Sequence, residues 1–260
     1  MWARINSHPR DEKIKFYDHL GEDEHVYVIE GAEERPTSVT TLIKKYFPEF
    51  DQDAIIAKYY EKWQKYKHPK YFGKTPDEIK IAWEENRIEC ARLGTELHKT
   101  IEAYLNNELE EEPDTKEWGH FKRFWNELLT TKPDYRIYRT EWTIYNEKKT
   151  ISGSVDAVLM KPNGKVVLLD WKRTKKIESW NDFGHYGLGP FAGLIHCNFV
   201  HYSIQLNMYR RILETCYDLE VESMFFVVFH PDNESYLLFE VPDMQALVAP
   251  VIDNWPNCEA

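Results

Sequence analysis

The sequence predicts an α/β fold: a three-strand antiparallel meander with helices before and after it. Three observations predict this. Tyr135–Ile144, Ile151–Met160 and Lys165–Lys172 are strand-like runs rich in β-branched and aromatic side chains. Their connections are short: the first contains Asn146 to Lys149, and in the second, Lys161-Pro162-Asn163-Gly164, Pro and Asn-Gly give explicit turn chemistry. Helical stretches flank the strands. The clearest opens at Thr75-Pro76-Asp77-Glu78, where Thr75 can cap, Pro76 suits the first helical position and Glu78 completes a capping box.

In chain order, 1–24 reads as a loose polar arm and His25–Glu30 as a short strand. Gly31 and Pro36 mark a turn, and Ser38–Ile43 opens a short helix stopped by Pro48. A second helix covers 53–67. Lys44 to Lys80 holds nine lysines against six acids, which is a solvated face or a flank that touches phosphates. The helix from Thr75 runs to about Asn106. The five acids of Glu108–Asp114 form a connector, and Lys116–Thr130 is a helix with Trp118, Phe121, Phe124, Trp125 and Leu128 on its apolar face. After the meander, 173–199 is a long irregular stretch of glycines and aromatics, a composition that favours a functional loop. His201–Tyr217 is helical, Val221–His230 and Ser235–Val241 form a hairpin, and Asp243 starts a last helix carrying Pro250. No repeat and no linker interrupts the chain. It reads as a single domain, 1–260: an N-terminal strand and helical region (1–93), a core (94–241) and a C-terminal helix and tail (242–260).

Composition narrows the function. A hydrophobic fraction of 42% supports a packed core. No apolar run approaches membrane-spanning length, and the N-terminus lacks a signal-peptide apolar region, so an intracellular protein is expected. The four scattered cysteines point to reduced thiols and against an iron–sulfur cluster. A net charge of −11 argues against a lysine-coated polyanion binder, but not against a site whose carboxylates are neutralised by cations.

Such a site is legible in the meander. Alternation puts Asp170 and Lys172 on one face with Leu168, and Trp171 on the other. It puts Asp156 with Ser154 and Val158, and Glu141 with Arg139 and Thr143. Centring the turns sets Asp156 opposite Leu169, within a residue of Asp170, and Glu141 opposite Ser154. Three carboxylates and one ammonium then share a small patch. Unpaired, the carboxylates repel and raise one another's pKa; a hard divalent cation removes that cost. Such a cation can hold a phosphate oxygen and acidify water, while Lys172 offsets charge developing on phosphorus. A lone Asp-x-Lys is ordinarily a surface salt bridge, and a lone His98 beside an apolar stripe is ordinarily a core histidine.

Together, these residues resemble the PD-(D/E)XK nuclease superfamily in its RecB-like exonuclease branch. Gly94, Thr95 and His98 match a helical Gly-Thr-x-x-His motif, and Glu141 matches a strand glutamate. Gly153 and Asp156 match Gly-x-x-Asp, Asp170 and Lys172 match Asp-x-Lys, and Gln205 and Tyr209 match Gln-x-x-x-Tyr, all in the family's order. Val155 stands where the family's nominal proline would be, and the cysteines of cluster-bearing relatives are missing. The resemblance implies a restriction-endonuclease-like core, a mixed sheet flanked by helices. It implies Asp156, Asp170, His98, Glu141 and the Trp171 carbonyl as metal ligands, and Lys172 as the catalytic lysine positioned by Gln205 and Tyr209. The expected ion is Mg²⁺, with Mn²⁺ the alternative because imidazole is softer than oxygen. Ser38, Thr40, Arg173, Lys175, Lys176 and Tyr209 are the expected DNA contacts. The implied activity is hydrolysis of DNA, from single strands or ends. A catalytically silent DNA-binding scaffold and an acid-pair glycosidase are the competing classes; the latter leaves Lys172 and His98 without a role.

Overall fold

The computed structural model describes residues 1–17, 26–146, 148, 150–181 and 184–256. They group into two compact units, Glu49–Glu96 and the remainder, Met1–Pro48 with Leu97–Ala260. No helix among the described residues is long and apolar enough to cross a membrane.

The smaller unit holds α3 (Gln52–Lys65) and the first part of α4 (Pro76–Leu105). Asp51 caps α3 by accepting from Ala54 N. The capping box of α4 is present: Thr75 N donates to Glu78 Oε2 at 2.7 Å, and Glu78 N donates to Thr75 Oγ1 at 3.3 Å. Two orphan amide groups are thereby satisfied where the helix begins.

The larger unit is a mixed sheet between two helical layers. Its strands are β3 (Thr37–Ser38), β4 (Arg136–Asn146), β5 (Ile151–Met160), β6 (Val166–Lys172), β7 (Val221–Val228) and β8 (Leu237–Glu240). The order is β3-β5-β6-β7-β8, with β4 on the other edge of β5. The pairs β4/β5, β5/β6 and β7/β8 are antiparallel; β3/β5 and β6/β7 are parallel. The expected meander and hairpin are therefore both present. The parallel β6/β7 pair needs a crossover, and α6 (Asn198–Cys216) supplies it.

One sheet face packs on α2 (Val39–Lys44), α6 and α7 (Gln245–Asn254). Val39, Leu42, Ile204, Met208, Val248 and Val251 meet Val155, Val158, Leu168 and Phe226 there. The other face packs on the end of α4 and on α5 (Lys116–Thr131). Leu97, Ile101, Phe121 and Trp125 meet Ala157, Leu159, Leu169 and Trp171. The apolar face read for α5 is thus core, contributed by its bulky aromatics.

The N-terminal arm is a correction. Its described residues hold α1 (Trp2–Ile5), a 3₁₀ turn at Asp11–Lys13, and β1 (Ile14–Tyr17), paired with β2 (Val26–Ile29). Polar side chains docked onto buried partners hold it, which composition does not reveal. The Met1 ammonium donates to Asn106 Oδ1 at 2.7 Å, and Trp2 Nε1 to the Leu105 carbonyl at 2.7 Å. Asp11 accepts from Arg139 at 2.6 Å and from Trp142 Nε1 at 2.8 Å. His25, expected in the second strand, lies outside the described residues, as do Glu147 and Lys149 of the first meander turn.

Candidate metal centre

The site forms where β5 and β6 part. Their pairing ends at Ala157↔Leu169, so Asp156 is level with Asp170 in the continuing register. This is one residue from the expected pairing. β3 pairs with the same edge of β5 at Ile151 and Ser152, so 153–156 has no strand on that edge. In the gap, the Trp171 N–H donates to Asp156 Oδ2 at 2.6 Å. A backbone donor that would otherwise belong to the ladder holds the carboxylate instead.

On the other edge of β5, Thr140↔Ala157 and Trp142↔Val155 put Glu141 level with Asp156, two residues from the expected Ser154. Glu141 has φ of 41°, a left-handed conformation rare for a residue with a Cβ. This breaks the alternation of β4. Thr140 meets Asn106 and Glu141 meets His98, both on α4's side. Arg139 and Trp142 both turn to Asp11. β5 has a matching break, for Val155 and Val158 share one core while Ala157 lies in the other. Two expectations are corrected here: Glu141 does not share a face with Arg139, and Asp156 does not share one with Val158. Period-two reasoning fails where the backbone leaves the extended region, as it does at Glu141, because adjacent residues can then point the same way. The expectation for β6 stands, with Leu168 on one face and Trp171 on the other.

α4 delivers His98 to this level. Its Nε2 is 2.9 Å from the Trp171 carbonyl. Its Nδ1 is 3.3 Å from Glu141 Oε1 and 3.6 Å from Asp156 Oδ2. Both ring nitrogens face acceptors, which suits a doubly protonated imidazole. Burial lowers the His98 pKa, but Asp156 and Glu141 outweigh burial and raise it to about 9. Burial first, then Asp170 and Glu141 against the opposing pull of His98, raises Asp156 well above the usual carboxylate range. His98, Glu141 and Asp156 each offer one ligand atom, and these atoms lie within 4.8 Å of one another. A mixed nitrogen and carboxylate set of this size fits a divalent cation, which would supply the positive charge that His98 otherwise gains by protonation.

Asp170 and Lys172 face the opposite helical layer. The Lys172 Nζ pairs with Asp170 Oδ2 at 2.7 Å and donates to Gln205 Oε1 at 3.4 Å. Gln205 Nε2 donates to the Tyr209 hydroxyl at 2.9 Å. Burial opposes protonation of Lys172, but Asp170 and Asp156 outweigh it and raise its pKa. Asp170 thus stands with Lys172 and outside the three-residue ligand group, while the Trp171 carbonyl is engaged by His98.

The expected DNA contacts divide. Ser38 pairs in register with Ser152 at the start of the open β5 edge; its Oγ accepts from Thr41 N at 3.0 Å and contacts the Thr40 hydroxyl at 3.0 Å. Arg173 is drawn away into a pair with Glu117 at 2.7 Å, with both side chains largely buried. Lys175 pairs with Asp232 and Lys176 with Glu178, so this basic run is charge-compensated.

Three residues escaped sequence reasoning. Tyr202 lies with its ring 4.4 Å from the Lys172 ammonium, a cation–π contact. It sits three before Gln205 on α6, a spacing that could have found it. Glu102, one turn beyond His98, has its pKa raised by burial and then by Glu141. The Tyr27 phenol is buried; burial and the charges of Glu141 and Asp156 raise its pKa. Nothing in the local sequence around Tyr27 signals that proximity.

No family model matches this chain, and no curated protein matches it. A solved structure described as the crystal structure of SSO0001 aligns over 85% of this chain and 75% of its own, at 17% identity and a TM-score of 0.36, a likeness too weak to carry an argument.

Proposed function

We propose that the chain is a metal-dependent deoxyribonuclease with a PD-(D/E)XK core of the RecB-like type, hydrolysing phosphodiester bonds of single strands or DNA ends in replication, repair or recombination. One observation carries this reading: the convergence of His98, Glu141 and Asp156 within 4.8 Å, beside an ion pair of Lys172 with Asp170. Surface salt bridges do not need three buried or half-buried ligand groups aimed at one point.

In this reading His98, Glu141 and Asp156 would hold the ion, Mg²⁺ or Mn²⁺, with Asp170 beside them holding Lys172. The ion supplies Lewis-acid polarisation of a phosphate oxygen and acidifies water. Trp171 N–H orients the Asp156 carboxylate. Lys172, held by Asp170, Gln205 and the Tyr202 ring, orients the attacking water and offsets negative charge developing on the phosphate. Gln205 and Tyr209 act through Lys172 and are positioning residues. The free thiols of Cys90, Cys197 and Cys216 are compatible with a reducing, intracellular setting.

The test uses labelled linear and circular DNA, single- and double-stranded, with Mg²⁺, Mn²⁺ or EDTA, and Lys172→Ala beside the wild type. Cleavage of linear single strands that needs the cation and Lys172 is the expected result. Cutting of circles would exclude a strict exonuclease, and no cleavage of any form would favour a binding scaffold.

A further inference from the structure

The smaller unit carries a feature that the metal centre does not use. Between Lys58 and Lys74 lie six lysines and one acid, Glu61, in a chain of net charge −11. All six lysines are exposed. Among the described residues, Lys62, Lys65, Lys67, Lys70 and Lys74 have no carboxylate within ion-pair distance, whereas Lys80 pairs with Asp53 at 2.5 Å. The run at 173–176 is the contrast, for its bases are matched with Glu117, Asp232 and Glu178. Uncompensated like charges repel, and a polyanion relieves that repulsion while releasing its own counterions.

Aromatic side chains interleave with these lysines in two roles. Trp63, Tyr71 and Trp83 interlock, with Trp63 and Tyr71 centroids 4.4 Å apart and Trp83 Nε1 donating to the Tyr71 hydroxyl at 3.0 Å. Gln64 clamps the loop after α3 by donating to the Tyr71 carbonyl at 3.0 Å and accepting from Gly73 N at 2.9 Å. Tyr60 donates to the Lys74 carbonyl at 3.1 Å. The loop is therefore shaped by its own contacts. Tyr66 and Phe72 stay outside that cluster, 68% and 52% exposed. The Lys65 ammonium is 5.5 Å from the Tyr66 ring and the Lys67 ammonium 5.8 Å from the Phe72 ring. Lys58, Lys62 and Lys65, at i, i+4 and i+7, follow one face of α3, and Tyr66 continues it.

We propose that α3 and the loop after it form a binding surface for single-stranded polynucleotide, with the lysines on phosphates and Tyr66 and Phe72 stacked on bases. Two exposed rings, each flanked by a cation, match unpaired bases on a phosphate backbone. A duplex hides its base faces, and an anionic membrane would call for a continuous apolar stripe. The inference rests on the nuclease reading for the kind of polyanion, since such an enzyme must hold its strand.

The full chain is titrated in EDTA with labelled oligothymidylate, a duplex of equal length and phosphatidylserine vesicles. Tyr66→Ala with Phe72→Ala is expected to weaken single-strand binding at least tenfold and duplex binding far less. Changing Lys62, Lys65, Lys67 and Lys70 to Gln is expected to reduce the slope of log Kd against log salt by about three, at about 0.7 per single-strand phosphate. Circular dichroism verifies folding of each exposed-residue variant. Single-strand affinity within twofold of wild type in both variants overturns the proposal. So does equal loss on the duplex in the aromatic variant, or loss confined to vesicles. Hydrolysis is silent in EDTA, so the two readings fail separately. Binding as expected with no cleavage in any cation rejects the nuclease and keeps the surface; cleavage with unchanged binding rejects the surface alone.

Discussion

A Cβ atom on Gly153 would lie 3.2 Å from Cδ1 of Tyr209 and overlap its Cε1. The open edge of β5 and α6 therefore meet through a contact that only glycine permits, and this contact sets the ring whose hydroxyl accepts from Gln205. Gly153→Ala is expected to destabilise by about 1–3 kcal/mol, the usual cost of overpacking, and to lower nuclease activity by displacing the Gln205–Tyr209 pair. Adding Tyr209→Ala should recover part of the stability and none of the activity. A double-mutant cycle from urea melts measures the coupling; strict additivity would show that the ring relaxes freely.

Lys172 and Asp170 test whether lost activity can be separated from lost fold. Asp170 is 2% exposed, so Lys172→Met strands a buried charge and should cost about 3–5 kcal/mol. Lys172→Met with Asp170→Asn removes both charges and should return most of that stability. Both variants should be inactive by at least about 100-fold, the scale of losing a preorganised electrostatic contact. An active double variant would remove Lys172 from the chemistry.

Cation binding should stabilise the fold. An ion at 100 times its Kd contributes about 2.7 kcal/mol. Mg²⁺ or Mn²⁺ is therefore expected to raise Tm relative to EDTA, and Asp156→Asn and His98→Ala should each abolish most of the rise. Thermal melts across a cation titration read this directly. Equal rises in wild type and both variants would place the ion elsewhere.

His201 offers a pH test of stability rather than of activity. Its ring stacks on His196 at 4.8 Å and meets the Phe47 ring at a tilt, 4.2 Å between centroids, and burial, with His196, lowers its pKa to about 4. The depressed value means that the unfolded chain takes up a proton between about pH 6.5 and 4 while the folded one does not. Stability is therefore full above the unfolded pKa and falls as pH drops through that window. Partial exposure screens the effect, which leaves about 1–2 kcal/mol. His201→Phe should flatten that part of the stability–pH curve, measured by urea midpoints. An unchanged slope would assign the acid sensitivity to other groups.

Local chemistry was enough to determine most elements beyond the N-terminal arm. Thr75 and Glu78 start α4 as a capping box, Ser38 caps α2, and Lys161-Pro162-Asn163-Gly164 turns β5 back into β6. These signals involve neighbours in sequence, so their physics is complete within a few residues. The approximate approach of Asp156 to Asp170 was legible for the same reason, through a short turn. Tertiary structure decided what lies at larger separation. Arg173 faces Glu117 rather than solvent, the N-terminal arm docks on β4 through Asp11, and Tyr27 reaches the charges of Glu141 and Asp156. It also decided how the carboxylates meet. The left-handed Glu141 and the parting of β5 from β6 gather His98 and Glu141 from one face of the sheet and Lys172 from the other, with Asp156 in the gap. Strand alternation predicts a patch on one face. A left-handed residue and an unpaired strand edge are settled by packing against α4 and α6, whose contacts with these strands are not written in any local window of the sequence.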